Sequence, residues 1–206
     1  MSHALIFVGR LPVLGRRIGR AEGGAQLVEF AVSLPLLVVF VVGIFDFSGA
    51  FTLKQKLTNI ARDAARAAAA DPANDLSSSK PVSVSDAFQL IDNYLLANQL
   101  NDCGITQSTS PSGLTWTSAA TGNGCPPGGL TIIINRGYYF PATGAGLPSV
   151  SCTPQVPGGG QEALVGTCVS IQYAYPWKFG RAASLLGQST TLPPTIAGIG
   201  VALNEN

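Results

Sequence analysis

Few side chains of this 206-residue chain are suited to catalysis, and the sole histidine is His3. A chain whose one imidazole lies near its start has no His-based triad and no His-containing metal cluster in its body. The sequence also has no paired carboxylates at useful spacing and no G-x-x-x-x-G-K phosphate loop, although residues 126–129 and 158–160 are rich in Gly and Pro. We therefore expect no enzyme, no cofactor and no metal site.

Cysteines are the remaining reactive side chains, and all four lie in the second half of the chain, at Cys103, Cys125, Cys152 and Cys168. An even number in an exported domain predicts two disulfides, each worth about 3 kcal/mol in the loop-closure picture. Three pairings are possible, and we favour Cys103–Cys125 and Cys152–Cys168 because each closes a Gly/Pro-rich loop. A four-cysteine zinc site is the competing interpretation, but no C-x-x-C pair supports it.

Charge is sparse and unevenly placed. The net charge is +1 and charged residues make up 11% of the chain, which gives no general electrostatic case for binding nucleic acid. The first 24 residues carry four arginines and one glutamate, whereas residues 103–206 carry five charges in all. A polar surface with few charges favours an extracytoplasmic or assembly-bound domain.

An apolar segment determines the class of protein. Residues 30–45 have no charge and are bounded by Glu29 and Asp46. Extended to residues 25–47, the segment is 23 residues long, roughly 35 Å of helix, and crosses a bilayer if the two acids lie at its edges. The basic flank then stays in the cytoplasm, and Pro35 predicts a tolerated kink. A buried core helix is the alternative.

The residues before this segment suggest peptide-bond cleavage. A basic stretch ends in Gly23-Gly24, and Ala25, Glu29 and Phe30 follow. The arrangement resembles the class III signal of type IV prepilins, which implies a cut after Gly24 and a mature chain starting at Ala25. The new amine and Glu29 are then i and i+4 on one helix face, or Glu29 meets the amine of a neighbouring subunit.

Two other treatments of this leader remain open. In the first, the helix is an uncleaved anchor and Glu29 is a hydrated interfacial residue. In the second, Ser48-Gly49-Ala50 ends an ordinary secretory signal that is cut before Phe51.

Helical periodicity continues beyond Asp46. Leu53, Leu57, Ile60, Ala61, Ala64 and Ala68 recur at helical spacing, and Asp71-Pro72 gives a stop signal. One helix over residues 25–70 would be roughly 69 Å long, half in the membrane and half amphipathic. A plain juxtamembrane stalk is the alternative.

Residues 24–70 resemble the TadE-like family, the minor pilins or pseudopilins of Flp (Tad, type IVc) pilus systems. The shared pattern is a glycine before Glu-Phe-Ala, an apolar run with proline, Gly-Ile-x-Asp-Phe, and a Leu-x-Asn…Ala-Arg signature. In this chain the matching residues are Gly24, Glu29, Phe30, Ala31, Pro35, Gly43, Ile44, Asp46, Phe47, Leu57, Asn59, Ala61, Arg62, Ala65 and Arg66. Ile60, Asp63 and Ala64 depart from it conservatively.

After a linker at residues 71–83, the exported domain is expected to span residues 84–206. Ser85 is expected to cap a helix over residues 86–100 with Phe88, Ile91, Leu95 and Leu96 on its apolar face. Strands are predicted at residues 113–117, 130–140, 164–175 and 195–203, with a turn or bulge at Asn135-Arg136-Gly137. The fold class is therefore α+β: a long, pilin-like N-terminal helix followed by a small disulfide-containing domain with one helix and an antiparallel sheet.

The resemblance implies a structural role as a minor pilin-like subunit that supports pilus assembly and thereby surface adhesion. Its implied partners are the prepilin peptidase, the inner-membrane assembly platform, other major and minor pilins, and membrane lipid. The alternative is a surface binding module on an uncleaved helix. In that case Tyr138, Tyr139, Phe140 and Trp177 would form a ligand patch instead of packing in the core.

Overall fold

The computed structural model describes residues 22–72, 74, 76–105, 110–140, 149–153, 164–184, 186–187 and 191–205. Its first element is one unbroken helix, α1, over Glu22–Ala70. The predicted end at Ala70 is confirmed, and the helix begins three residues before the predicted start. It runs through Pro35, while the kink expected there stays a prediction. The four leader arginines lie outside the described residues.

The two halves of α1 differ in their surroundings. Large apolar side chains from Leu27 to Phe45 are exposed, whereas the second half contributes a buried stripe to the core. Every residue of the predicted stripe is buried: Leu53, Leu57, Ile60, Ala61, Ala64 and Ala68. On the outer face, Arg66 and Asp63 form a weak i, i+3 ion pair at 3.6 Å.

The second helix, α2, covers Val82–Ala97, so the predicted start at Asp86 is wrong. Pro81 sets the helical entry with its fixed φ, and the Ser85 amide already donates to the Pro81 carbonyl at 3.0 Å. Ser85 is therefore inside the first turn and is not the cap. The segment between α1 and α2 comprises residues 71–81, which is two residues shorter than the predicted linker of residues 71–83.

The end of α2 also differs from the prediction. Gln99 takes a left-handed φ of 57°, and the Leu100 amide donates to the Leu95 carbonyl at 2.9 Å. This is a Schellman motif, which ends the helix before Leu100. Ile91 and Leu95 are buried as predicted, but Leu96 is exposed.

The described strands form one antiparallel meander in the order β1-β2-β3-β4-β5. Their bounds are Ser110–Ser112, Thr115–Ala120, Leu130–Phe140, Leu164–Ala174 and Thr195–Leu203. The predicted bounds of β3 and β5 are confirmed, and those of β4 are one residue too long. The strand predicted at residues 113–117 exists as β2, but it starts two residues later and runs to Ala120, because Gly113 has φ +60° and forms the turn between β1 and β2.

The last strand, β5, lies directly against the backbone of α1. A Cβ atom placed on Gly198 would lie 2.2 Å from the Leu57 carbonyl carbon, and one on Gly200 would lie 2.3 Å from that of Ala61. Only glycine permits this approach. The second half of α1 is thus seated on the sheet with no side-chain layer between helix and strand at these two positions.

A bulge in β3 places a side chain against the C-terminal end of α1. The β3–β4 register shifts between Asn135 and Tyr138, which confirms the predicted bulge. The bulge turns Arg136 toward the helix, where its side chain is fully buried. The guanidinium donates to the Ala68 carbonyl and, at 2.9 Å, to the Asp71 carbonyl. A cation at a helix C-terminus also complements the helix dipole.

Both disulfides have the pairing that the sequence favoured, Cys103–Cys125 and Cys152–Cys168. The first belongs to the main core under the helices. The second packs with Tyr138 in a smaller cluster on the opposite face of the sheet. Each of the two apolar clusters, one on either face of the sheet, therefore contains one disulfide.

Candidate assembly spine and its junction with the domain

The first half of α1 has the properties of a membrane span. Among the described residues, one helix is long and apolar enough to cross a membrane, by length and composition, over Gly24–Ala70. Its most apolar window has a mean hydropathy of 2.6, and 11% of that window is buried in the protein. The low buried share argues against the core-helix alternative.

The predicted processing and assembly residues lie at the exposed start of this helix. Gly24, Ala25, Glu29 and Phe30 are all exposed, and apart from the chain neighbours and the backbone of its own helix no described atom would lie within 4 Å of a Cβ on Gly24. Ala25 and Glu29 are one turn apart on α1. The structure leaves these residues accessible, and their roles stay predictions.

Asp46 is the residue whose role sequence reasoning missed, because it was assigned only to the edge of the span. Its side chain is 6% exposed and faces the domain. The carboxylate accepts the Lys178 and Phe179 amides, each at 2.8 Å. The Tyr175 hydroxyl donates to the Asp46 backbone carbonyl at 2.9 Å and lies 3.3 Å from the carboxylate. Hydrogen bonds from donors 129 to 133 residues away thus satisfy an acid that borders an apolar run.

These bonds order a short helix that the sequence did not predict, α3, over Phe179–Ser184. Asp46 accepts the amide of its first residue, as a capping carboxylate does. A local pattern could not reveal α3, since its cap comes from α1. The available signal was Asp46 itself, an acid without a nearby cation, inside the family-like Gly43-Ile44-x-Asp46-Phe47 group.

Two glycines allow aromatic rings to approach α1 around Asp46. A Cβ on Gly43 would lie 3.0 Å from the Phe179 ring, and one on Gly49 would lie 2.6 Å from the Tyr175 hydroxyl. Burial and the Asp46 charge raise the pKa of Tyr175, so the phenol stays protonated and remains a donor to Asp46.

An aromatic cluster continues around the helix at this level. The Phe47 ring lies 5.3 Å from Trp177 and 5.6 Å from Phe179, and Trp177 lies 4.8 Å from Tyr175. The Trp177 indole donates to the Pro193 carbonyl at 2.7 Å. Tyr138 is buried in the smaller core, as the core interpretation of the aromatics expects, whereas Trp177 is half-buried in the contacts around α1.

Comparison with known proteins links the first part of the chain to a family. The family model described as TadE-like protein matches residues 24–66. The match confirms the resemblance seen in the sequence, and it includes both Glu29 and Asp46. It ends inside α1, before α2 and the sheet. No curated protein and no solved structure matches the chain.

Proposed function

We propose that this chain is a minor pilin-like (pseudopilin) subunit of a Tad/Flp type IV pilus, which supports pilus assembly and thereby surface adhesion. The TadE-like match over residues 24–66 connects it to Tad pilus systems, a structural and non-enzymatic setting. Residues 1–24 are the cytoplasmic leader, 25–47 the span through the bacterial inner membrane, and 48–70 the outer half of the spine. The domain beyond the linker faces the periplasm or the exterior.

The observation that carries this proposal is the division of α1 into an exposed apolar half and a half seated on a sheet. A span attached to its domain by a flexible linker would anchor the domain but would not fix its position. Here Asp46 and the buried stripe from Leu53 to Ala68 fix the domain to the same helix that enters the membrane. Such a rigid unit suits packing of many spans into one helical assembly.

On this proposal, Glu29 sets the position of each subunit relative to its neighbours in the assembly. A carboxylate inside the apolar end of a span is costly unless it has a partner. Cleavage after Gly24 creates a positive amine on Ala25, which Glu29 of the same or a neighbouring subunit can pair. The partners on this proposal are the prepilin peptidase, the inner-membrane platform, other major and minor pilins, and lipid.

The N-terminus of the native protein tests the proposal. We expect membrane-extracted protein to start at Ala25 in cells with the prepilin peptidase, and upstream of Gly24 in cells without it. Peptide sequencing of both samples gives the answer. A start upstream of Gly24 in both would favour the uncleaved surface module, and a start at Phe51 would indicate a secreted domain without a spine.

A substitution at Glu29 separates processing from assembly. We expect Glu29→Gln to be cleaved and inserted normally but to be lost from the assembled pilus fraction, because the amine of Ala25 no longer has its carboxylate. Immunoblots of membrane and sheared pilus fractions measure this. Glu22→Gln is the matched control, since the leader that contains it is removed. Equal incorporation of the two variants would contradict the role of Glu29.

A further inference from the structure

We propose that residues 175–184, here called the interface segment, contact acidic phospholipid headgroups at the outer edge of the membrane and set the depth of the span. The inference rests on the proposed membrane span and adds a second lipid contact to it. The segment comprises Tyr175, Pro176, Trp177, Lys178 and helix α3.

The interface segment is fixed at one level of α1. The Asp46 carboxylate accepts two of its amides, and the Phe179 ring covers Gly43. With Ala25 at the inner edge, Gly43 lies roughly 27 Å along the helix, close to the thickness of about 30 Å of a hydrocarbon core. The segment is therefore held where hydrocarbon gives way to headgroups.

The residue types of the segment suit that level. Aromatic rings concentrate at membrane interfaces, where an apolar body and a polar tip are both accommodated. Trp177 and Phe179 are half-exposed, and Phe45, on the neighbouring turn of α1, is 74% exposed. An open cleft of about 410 Å³ lies beside them, lined mainly by Val41, Val42, Phe45, Asp46, Tyr175, Pro176 and Lys178. It offers an apolar surface to a lipid chain next to a cation.

Charge selects the headgroup. Residues 103–206 contain three cations, and the first of them, Arg136, is buried under the end of α1. The other two, Lys178 and Arg181, are exposed on the interface segment. No hydrogen bond or ion pair engages either side chain in the described part of the chain. Residues 163–204 contain no acid, and the nearby Asp46 is occupied by amides and Tyr175.

This placement runs against the usual distribution of charge. Cations near spans are enriched on the cytoplasmic side, yet these two lie beside the opposite end of the helix. Basic residues at a membrane surface gain free energy from anionic lipids. Contact with acidic headgroups accounts for both cations and for the aromatic ring cluster at the same level.

The test uses the full chain in phosphatidylcholine vesicles, with and without phosphatidylglycerol, and with lipids brominated near the headgroup. The chain has two tryptophans; Trp116 is fully buried, so the difference between wild type and Trp177→Phe isolates Trp177. We expect shallow bromines to quench most Trp177 emission, and phosphatidylglycerol to increase the quenching. No quenching of Trp177, or quenching unaffected by phosphatidylglycerol, would overturn the proposal.

Neutralising the cations tests their part in the contact. Lys178→Gln/Arg181→Gln should abolish the increase caused by phosphatidylglycerol. The matched control is Arg62→Gln/Arg66→Gln, exposed cations on α1 that lie roughly 24–30 Å beyond Asp46, and it should keep the increase. Thermal unfolding in detergent checks that both variants fold. An unchanged increase in the first double variant would overturn the choice of headgroup.

A reporter within the span distinguishes failure of this inference from failure of the proposed function. Phe40→Trp in the Trp177→Phe background places an indole at an exposed position of the apolar half. Quenching of this indole by deep bromines without quenching of Trp177 overturns the interface contact alone. If neither indole is quenched, the span is wrong and the interface contact is overturned with it.

Discussion

Replacing Arg136 with methionine is expected to lower the free energy of unfolding of the domain by about 3–5 kcal/mol, because carbonyls at and just beyond the end of α1 lose a charged donor. The guanidinium donates to Ala68 and Asp71 and, at 3.1 Å, to the Thr167 hydroxyl. For a domain of this size, we expect the midpoint of thermal unfolding to fall by roughly 10 °C. Chemical and thermal unfolding of the detergent-solubilised chain measure both quantities.

Arg66→Met is the matched control for this change. Arg66 lies near the C-terminal end of α1, the end that Arg136 contacts. Its side chain, however, is 74% exposed and its partner is the surface acid Asp63. Its loss should cost less than about 1 kcal/mol. Arg136→Lys should fall between the two, since one ammonium cannot reproduce the two-pronged guanidinium. If the two methionine variants unfold at the same denaturant concentration, Arg136 does not stabilise the end of α1.

Gly200→Ala is expected to destabilise the domain by about 1–3 kcal/mol or more, although glycine to alanine in a strand ordinarily stabilises. The new Cβ would lie 2.3 Å from the backbone of Ala61, which cannot move aside as a flexible side chain can. Gly198→Ala should act in the same direction through Leu57. Urea unfolding monitored by circular dichroism gives the free energies.

Ala197→Val serves as the control for overpacking, because this neighbouring side chain points to the other face of β5 and suits a strand. We expect a change within about 0.5 kcal/mol. A Gly200→Ala variant as stable as wild type would show that α1 and β5 are not in backbone contact.

Local pattern predicted much of this fold. The stripe on α1 and the bounds of β3 and β5 follow from helical or alternating apolar spacing sustained over nine residues or more. β1 was missed because its three residues, Ser-Pro-Ser, carry no apolar alternation. The start of α2 lies earlier than predicted because Pro81, and not Ser85, marks the entry to the helix.

The interactions that hold the spine to the domain had no local signature. Asp46 and its amide donors are more than 130 residues apart, and Arg136 lies 68 residues from Ala68. Each is a single polar residue that binds backbone groups in addition to one or more side chains, and backbone partners leave no mark in a sequence. The motif around Glu29, for which processing is proposed, can be recognised in the sequence because its residues are nearly contiguous, whereas the residues that join Asp46 to the domain are far apart in the sequence.

The contact between α1 and β5 also determines when the domain can complete its folding. These are the first and last described elements of the chain, so synthesis in chain order produces the stripe around Leu57 and Ala61 before the strand that covers it. At about 5–20 residues per second, β5 follows roughly 7–30 s later. A contact between elements so far apart in the sequence slows folding. Until β5 has been made, the apolar stripe around Leu57 and Ala61 lacks its cover and is prone to aggregation.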